Sequence, residues 1–289
     1  MDVSGRGQEA ELSALRESLR EQLAANRALQ FGAVKPSWVR YAEDYFWDET
    51  QQRWRLDVLA RHGVVPGKQR ILDLSSGCGQ FVLLALASGY DCEGVEPDAW
   101  RTGFVERKID LFGHPQQWKS RFHRAAAEGL PFESDSFDYV TSFQTLEHVA
   151  NPRRAIAEMF RITRPGGAIH IMCPDYRSTF EAHYQLPWLP LFPRGMARLY
   201  LRLLGRPVEG LEGIQYVTGP RVRRWITDAQ QPRYLLIADE QREMFEENLR
   251  RRGLAGIPGA YLLWRTLTAL RYAGRRELSV SLLVRILEK

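Results

Sequence analysis

The stretch Leu72-Asp73-Leu74-Ser75-Ser76-Gly77-Cys78-Gly79 decides the fold, because an apolar strand runs through two glycines into a helix. Its apolar residues predict a strand at Arg70–Leu74, and the run that follows predicts a helix at Phe81–Ser88. Gly77 and Gly79 lack Cβ atoms, so the loop backbone can adopt unusual angles and approach a ligand closely. A ligand site is therefore expected at the carboxyl end of this strand.

Strands and helices alternate along most of the remaining chain. Further strands are predicted at Cys92–Glu96, Arg121–Ala126, Phe137–Phe143, Ala168–Cys173, Tyr234–Ala238 and Ser279–Ile286. Helices are predicted at Pro97–Leu111, Pro152–Thr163, 239–252 and 260–273, and the turn Arg164-Pro165-Gly166-Gly167 precedes the fifth strand. The pattern predicts an α/β fold with a Rossmann-like, doubly wound, mostly parallel sheet of seven strands and helices on both faces.

Two segments lie outside this alternation. Residues 1–62 are predicted to be an N-terminal helical segment that serves as a cofactor lid, with one helix over 8–30 and a second from Tyr41 through Arg61. Residues 63–289 are predicted to be the α/β domain, with an aromatic, proline-rich insertion at 176–218 that contains a helix at Met196–Leu204. The leucines of 8–30 favour packing on the body of the protein, and a coiled-coil seam in a homodimer is the second interpretation.

Composition narrows the class of protein. The chain has 289 residues, a net charge of +5 and three cysteines without a Cys-x-x-Cys or His/Cys cluster, so no metal site is expected. It lacks an apolar run near the roughly 20 residues of a membrane span, and its charged start does not resemble a signal peptide. Residence in the cytoplasm is expected. No nucleic-acid partner is expected, because the chain has no lysine-rich tail or basic low-complexity run.

The glycine loop alone does not identify its ligand. Gly-x-Gly also occurs in dinucleotide enzymes, but Val82 replaces the third glycine of their Gly-x-Gly-x-x-Gly pattern. Asp73 precedes the loop, and Glu96 ends the second strand, where a carboxylate can accept hydrogen bonds from both hydroxyls of a ribose. This glutamate indicates a ribose-containing cofactor, although it is shared with enzymes that use NAD.

Six further blocks follow the loop in order. They are Gly94-Val95-Glu96-Pro97, Glu128-Gly129-Leu130-Pro131-Phe132, Ser136-Phe137-Asp138-Tyr139-Val140, Leu146-Glu147-His148-Val149, Asn151-Pro152 and Arg164-Pro165-Gly166-Gly167. With the loop they resemble the core of class I methyltransferases that use S-adenosylmethionine (SAM), in particular the group acting on quinones and natural products. The resemblance covers a little over a third of the chain, and the ordered set is much more specific than any one block.

The resemblance implies SAM as cofactor, S-adenosylhomocysteine as its product, and cofactor contacts at eleven positions. The residues are Asp73, Ser75, Gly77 and Gly79 at the methionine part, Glu96 at the ribose, Pro97, Ala127 and Glu128 at the adenine, Phe143 and Gln144 at the sulfonium, and Tyr45 in the lid. One position departs from the family. Ala126 stands where an aspartate often contacts the adenine amino group, so adenine recognition is expected to rest on backbone atoms or on Glu128.

Three side chains are candidates for catalysis. His148 follows the fourth strand and is a candidate general base, whereas His183 and Tyr184 lie in the insertion, where they can face the acceptor. Apolar residues of the insertion predict either a pocket wall or a cover for the sheet edge: Leu186, Trp188, Leu189, Leu191 and Phe192. Arginines close behind them suggest peripheral contact with an anionic membrane: Arg194, Arg198, Arg202 and Arg206.

The favoured function is SAM-dependent methyl transfer to a small-molecule or lipid-linked acceptor, at oxygen, in a biosynthetic pathway. The alternative is a non-catalytic scaffold of the same fold that binds a partner through residues 8–30. A nucleic-acid methyltransferase is the third interpretation, but Gln144-Thr145-Leu146-Glu147 stands where such an enzyme carries an Asn/Asp-Pro-Pro-Tyr/Phe motif.

Overall fold

The computed structural model of the protein describes residues 3–32, 35–229, 235–251, 262–264 and 279–287. Most of the helix predicted at 260–273 and the first residue of the strand predicted at Tyr234–Ala238 lie outside the described residues. None of the helices in these ranges combines the length and the apolar content that a membrane-spanning segment needs.

Seven strands form the main sheet and two more form a short hairpin. They are β1 (Arg70–Leu74), β2 (Asp91–Val95), β3 (Phe122–His123), β4 (Phe137–Phe143), β5 (Thr163–Pro174), β6 (Phe180–Glu181), β7 (Leu186–Pro187), β8 (Leu235–Asp239) and β9 (Ser279–Ile286). The main sheet has the order β3-β2-β1-β4-β5-β9-β8, and β9 runs antiparallel to both of its neighbours, β5 and β8. The predicted fold class, a mostly parallel seven-stranded α/β sheet, is confirmed.

Ten α-helices lie within the described residues up to 251, around the sheet and in the insertion. They are α1 (Val3–Phe31), α2 (Pro36–Trp47), α3 (Arg53–Arg61), α4 (Gln80–Ala87), α5 (Ala99–Leu111), α6 (Pro152–Ile162), α7 (Arg194–Leu203), α8 (Glu209–Glu212), α9 (Gly219–Ala229) and α10 (Glu240–Arg251). Local chemistry sets their starts. The Asp98 side chain accepts a hydrogen bond from Trp100 N before α5, and Asn151 does the same for Arg154 N before α6.

The centre of the sheet is buried on both faces, as a parallel sheet covered by helices requires. In β1, Ile71, Leu72 and Leu74 are each fully buried, and β1 pairs in parallel with β2 on one side and β4 on the other. The carboxyl ends of these three strands consequently lie side by side, and the loops that follow them form one edge of the molecule.

Three predicted elements differ from the observed ones. The turn predicted at 164–167 is an irregular part of β5, where the register with β4 shifts. The helix expected from Tyr41 through Arg61 breaks at Asp48, whose side chain accepts a hydrogen bond from Thr50 N and starts a short 3-10 turn at Glu49–Gln52. The third strand, expected at Arg121–Ala126, spans only Phe122–His123 because β3 pairs with β2 alone, at the edge of the sheet. After His123 the chain no longer pairs with β2.

Helix α1 packs within this chain. Leu15, Leu19 and Leu23 are buried with Ala42 of α2 and with Cys78 of the glycine loop. Arg16 and Arg20 of α1 also donate hydrogen bonds to the buried carboxylate of Glu43 in α2. The three leucines Leu15, Leu19 and Leu23 are therefore used for packing within this chain and are not available to bind a partner.

The insertion at 176–218 has a small core of its own. Trp188 and Phe192 are buried in it with Tyr184, whereas Leu189 and Leu191 are 56% and 44% exposed. Phe31 at the end of α1 belongs to the same cluster. The insertion and α1 are thus joined at the carboxyl edge of the sheet.

Candidate active site

The glycine loop between β1 and α4 depends on backbone angles and close contacts that favour glycine. Ser75, Gly77 and Gly79 have positive φ angles of 59°, 58° and 73°. A Cβ at Gly79 would lie 2.9 Å from side-chain atoms of both Phe122 and Val105, so a larger residue does not fit there. The loop is a sharp turn with the unusual backbone angles that its glycines predict.

Glu96 lies directly after β2 and faces this loop. Its carboxylate is 4% exposed and accepts hydrogen bonds from Gly77 N at 3.0 Å and from Asp98 N at 3.2 Å. The Arg101 guanidinium is 3.7 Å away. Burial raises the pKa of Glu96 from its usual value, although Arg101 and the two backbone amides act in the opposite direction. The group is a buried acceptor fixed at the end of its strand.

Asp73 is occupied by a partner that the sequence did not reveal. Arg55 of α3 donates to both of its carboxylate oxygens, at 2.5 and 3.3 Å, and both side chains are buried. The guanidinium lies between the rings of Phe81 and Phe143, 3.6 and 4.2 Å from their centroids. Asp73 thus anchors α3 to the strand that carries the glycine loop.

Three other predicted cofactor residues lie around the ends of β2 and β4. Phe143 is half-buried beneath Arg55, and Gln144 is exposed, with a φ of 51° and its backbone N bonded to Met172 O. Pro97 is exposed next to Glu96. These residues are close to the edge where the cofactor is expected, and their contact with it stays a prediction.

The remaining predicted positions have protein contacts that bear on their expected roles. Ala127 is buried, but the Glu128 carboxylate accepts a hydrogen bond from Asn151 N at 2.9 Å and so supports the start of α6. Tyr45 is half-buried against Phe46. It is the ring of Phe46, a residue that the sequence analysis missed, that lies 3.7 Å from the Cβ position of Gly77.

The two candidate histidines meet at this edge. His148 Nε2 lies 3.2 Å from His183 Nε2, and His183 Nδ1 lies 2.6 Å from a Glu181 oxygen. The buried Glu181 also accepts hydrogen bonds from Tyr176 Oη and Tyr184 N. The His148 side chain is 47% exposed, and its partial burial together with the nearby His183 and Arg101 lowers its pKa from the usual value.

Tyr184, the third catalytic candidate, is fully buried. Its hydroxyl donates to Pro207 O and accepts from Leu211 N, and burial raises its pKa to about 12. These contacts tie the two halves of the insertion together. Glu181, which has no recognisable motif around it, is the functional candidate that the sequence analysis missed.

Comparison with known proteins identifies the family. A family model described as a methyltransferase domain matches residues 18–231. The chain belongs to this methyltransferase family. Together with the sheet order and the antiparallel β9, this match places the chain in the class I, SAM-dependent methyltransferase family, as the resemblance implied.

The methyltransferase is similar to several mycobacterial proteins. An uncharacterized methyltransferase of Mycobacterium tuberculosis is 28% identical over 204 residues, which are 63% of this chain and 78% of the relative. Another from a Mycobacterium species (strain KMS) is 34% identical over 118 residues, 41% of this chain and 44% of the relative. One from Mycobacterium leprae is 32% identical over 126 residues, 43% and 44% of the two chains. The match thus spans less than half the length of the last two relatives.

Solved structures of Haemonchus contortus phosphoethanolamine N-methyltransferase 2 share the fold. The complex with phosphomonomethylethanolamine and S-adenosylhomocysteine has a TM-score of 0.54 at 16% identity, covering 94% of this chain and 60% of that one. The complex with SAM has a TM-score of 0.50 at 17% identity, covering 82% and 53%. At this identity the likeness shows the fold and nothing about the acceptor.

The residues of the methyltransferase fit SAM, its family's cofactor. The buried Glu96 carboxylate suits a ribose diol, and the space at Gly77 is bounded by Phe46, Arg101 and Gln80, each 3.7 to 3.9 Å from where a Cβ would lie. Among the described residues, the buried Gln80 Oε1 has no hydrogen-bond partner. Such an acceptor suits a polar group of the methionine part.

Proposed function

We propose that the protein transfers the methyl group of SAM to an oxygen atom of a small-molecule or lipid-linked acceptor in a biosynthetic pathway. The observation that carries the proposal is the contact chain from Glu181 through His183 to His148 at the carboxyl edge of β4. A hydroxyl acceptor must lose a proton during methyl transfer, and a positioned imidazole can take it.

The hydrogen-bond chain fixes which nitrogen is available. A carboxylate only accepts, so His183 donates its Nδ1 hydrogen to Glu181 and presents the lone pair of Nε2. His148 then donates from its own Nε2, and its Nδ1 keeps a lone pair. In this proposal His148 Nδ1 receives the acceptor proton, His183 and Glu181 are positioning residues, and Tyr184 has no part in proton transfer.

The protein's remaining contribution is alignment and exclusion of water. When bound, SAM supplies an electrophilic methyl group on a positively charged sulfonium. Holding the reactants in line can lower the activation barrier by about 7–11 kcal/mol. We assign this role to a lid formed by residues 1–62 and to a substrate cap formed by the insertion, which are joined by the hydrogen bond from Arg27 Nη2 to His183 O at 2.7 Å.

An exposed apolar ridge on the insertion supports the lipid-linked form of the acceptor. Met196, Leu199 and Leu203 lie on one face of α7 with 57%, 59% and 77% of their surface exposed. Leu189 and Leu191 are exposed in the preceding loop, and Arg202 is exposed on the helix. We propose that this ridge rests on an anionic bilayer, with the apolar side chains in the acyl region and arginine at the headgroups.

Labelled methyl transfer tests the reaction. The purified protein is incubated with methyl-labelled SAM and a panel of simple and prenylated phenols, with amines of matched size as competitors. We expect label on hydroxyl acceptors and a loss of about 10²- to 10⁴-fold in His148→Gln, with an unchanged affinity for S-adenosylhomocysteine. His123→Gln is the matched control, because His123 pairs with Glu93 away from this cluster.

Three outcomes contradict the proposal, two of them at the level of the reaction and one at the level of the enzyme. Label confined to amines, or full activity in His148→Gln, overturns oxygen transfer with His148 as base. Failure to bind both SAM and S-adenosylhomocysteine at millimolar concentration overturns the enzyme and favours the scaffold alternative.

Sedimentation with vesicles tests the ridge. We expect the protein to bind vesicles of phosphatidylglycerol and phosphatidylcholine at low salt and Leu199→Asp to bind them less. Leu29→Asp is the control, because Leu29 is 70% exposed but lies on α1. Equal binding of all three proteins, or none at low salt, excludes the ridge as a membrane contact.

A further inference from the structure

One cluster of side chains at the candidate site suits a ligand other than the acceptor. Glu147 and His148 follow β4, and His183 comes from the insertion. Each residue offers one ligand atom, and these atoms all lie within 4.8 Å of one another. The loop after β4 and the insertion are held together here by Gln215 N, which donates to Glu147 O at 2.7 Å.

The distances within the cluster suit a shared metal ion. Two nitrogen ligands at about 2.0–2.1 Å from a zinc ion, with a near-tetrahedral angle between them, lie about 3.3 Å apart. The two Nε2 atoms are 3.2 Å apart, which is at the upper end of the hydrogen-bond range and close to the spacing of two zinc ligands. Their rings are nearly perpendicular, with an interplanar angle of 89° and centroids 4.9 Å apart. Glu147 Oε1 is 3.9 Å from His148 Nε2, so a small side-chain movement completes the set.

The groups that hydrogen-bond the candidate ligand His183 also match those of a metal site. Histidines that bind metals usually donate their other ring N–H to a carboxylate, which orients the ring and makes it a better ligand. His183 does this through Nδ1 to Glu181, and Glu181 is itself held by Tyr176 Oη and Tyr184 N. The ring of Phe31 stacks on His183 at 5.4 Å and limits its movement from the other side.

We infer that Glu147, His148 and His183 bind a divalent transition-metal ion of the zinc type. Two imidazoles and one carboxylate are the three-ligand set that leaves a fourth position open. The half-exposed side chain of His148 places that position on the solvent side of the cluster. The ion joins the loop after β4 to the insertion, two segments that are otherwise 35 residues apart in sequence.

The proposed ion and the proposed proton transfer both use His148 Nε2 and His183 Nε2. Resting on the proposed function, the inference predicts that bound zinc inhibits methyl transfer to a hydroxyl. A neutral His148 that binds zinc through Nε2 carries its hydrogen on Nδ1, which then cannot receive the acceptor proton. Removing the ion with a chelator is expected to restore transfer. Metal binding itself needs no acceptor, so it can be measured whether or not the proposed reaction is correct.

Calorimetric titration of the tag-free, full-length protein with zinc chloride tests the site. We expect one ion per chain, and a loss of that binding in His148→Gln and in His183→Gln. Glu181→Gln, which leaves all three ligands in place, is expected to weaken affinity about 10- to 100-fold. His123→Gln, which removes a carboxylate-paired histidine elsewhere, should bind like the wild type.

Thermal unfolding and S-adenosylhomocysteine binding confirm that each variant is folded. Zinc binding that is equal in wild type, His148→Gln and His183→Gln overturns the inference, as does the absence of stoichiometric binding to the folded wild type. If zinc binds as expected but does not change methyl transfer, the metal site is supported. The prediction that zinc and proton transfer both need His148 is then wrong.

Discussion

The candidate cofactor half and the proposed acceptor half of the molecule are built in different ways. In the cofactor half, the glycine loop and Glu96 belong to adjacent parallel strands, and backbone amides make the contacts. In the acceptor half, His148, His183 and Arg27 come from three separate parts of the chain, and Arg27 is 156 residues from the carbonyl that it binds. Changes in the first half should affect cofactor affinity and the fold, and changes in the second should affect the acceptor.

The largest effect is expected from Arg55→Ala. It leaves the buried Asp73 carboxylate without its partner, and breaking a buried ion pair in this way costs about 3–5 kcal/mol of unfolding free energy. Chemical denaturation measures the change. Arg53→Ala, at an exposed position two residues earlier, should change stability little. Equal stability of the two variants would show that Asp73 does not depend on Arg55.

Glu96→Gln should separate the two halves most clearly. A hydrogen bond to a charged acceptor contributes about 1.5–3 kcal/mol, so affinity for S-adenosylhomocysteine should fall about 10- to 100-fold. Calorimetry on the variant and on the exposed control Glu106→Gln measures this difference. An unchanged dissociation constant in Glu96→Gln would remove this residue from the cofactor site.

Arg27→Ala tests the link between lid and cap. Arg27 stacks on Trp38 at 4.1 Å and donates to His183 O, so the substitution should cost about 1–2 kcal/mol locally. Hydrogen exchange of α1 and of the insertion should increase together. Faster exchange in α1 alone would mean that the two segments are not coupled through Arg27.

The smallest effect is a pH dependence. Because burial raises the pKa of Glu96, its carboxylate becomes protonated at a higher pH than an ordinary glutamate. Only the charged form can accept from both ribose hydroxyls, so cofactor affinity should decrease as the pH is lowered from neutrality. Titrations at a series of pH values in wild type and Glu96→Gln measure this. If cofactor affinity still depends on pH in Glu96→Gln, a group other than Glu96 is responsible.

The same contrast explains what the sequence could predict. Strands β1, β2 and β4 follow from local patterns, so their placement and the unusual backbone angles of Gly77 and Gly79 could be predicted from neighbouring residues. Asp48 was not recognised as a capping residue, and the long helix was predicted through it. Arg55 and Glu181 have no local signal, because their partners are set by how distant segments pack.

The insertion closes on itself where it leaves the sheet. Tyr176 N, at its start, donates a hydrogen bond to Val217 O, at its end, at 2.9 Å. A segment whose two ends are hydrogen-bonded to each other can change in length and composition during evolution without moving β5 or the strands beside it. Exchange of this one segment between relatives is therefore a practical test of the proposed substrate cap that leaves β5 and the glycine loop in place.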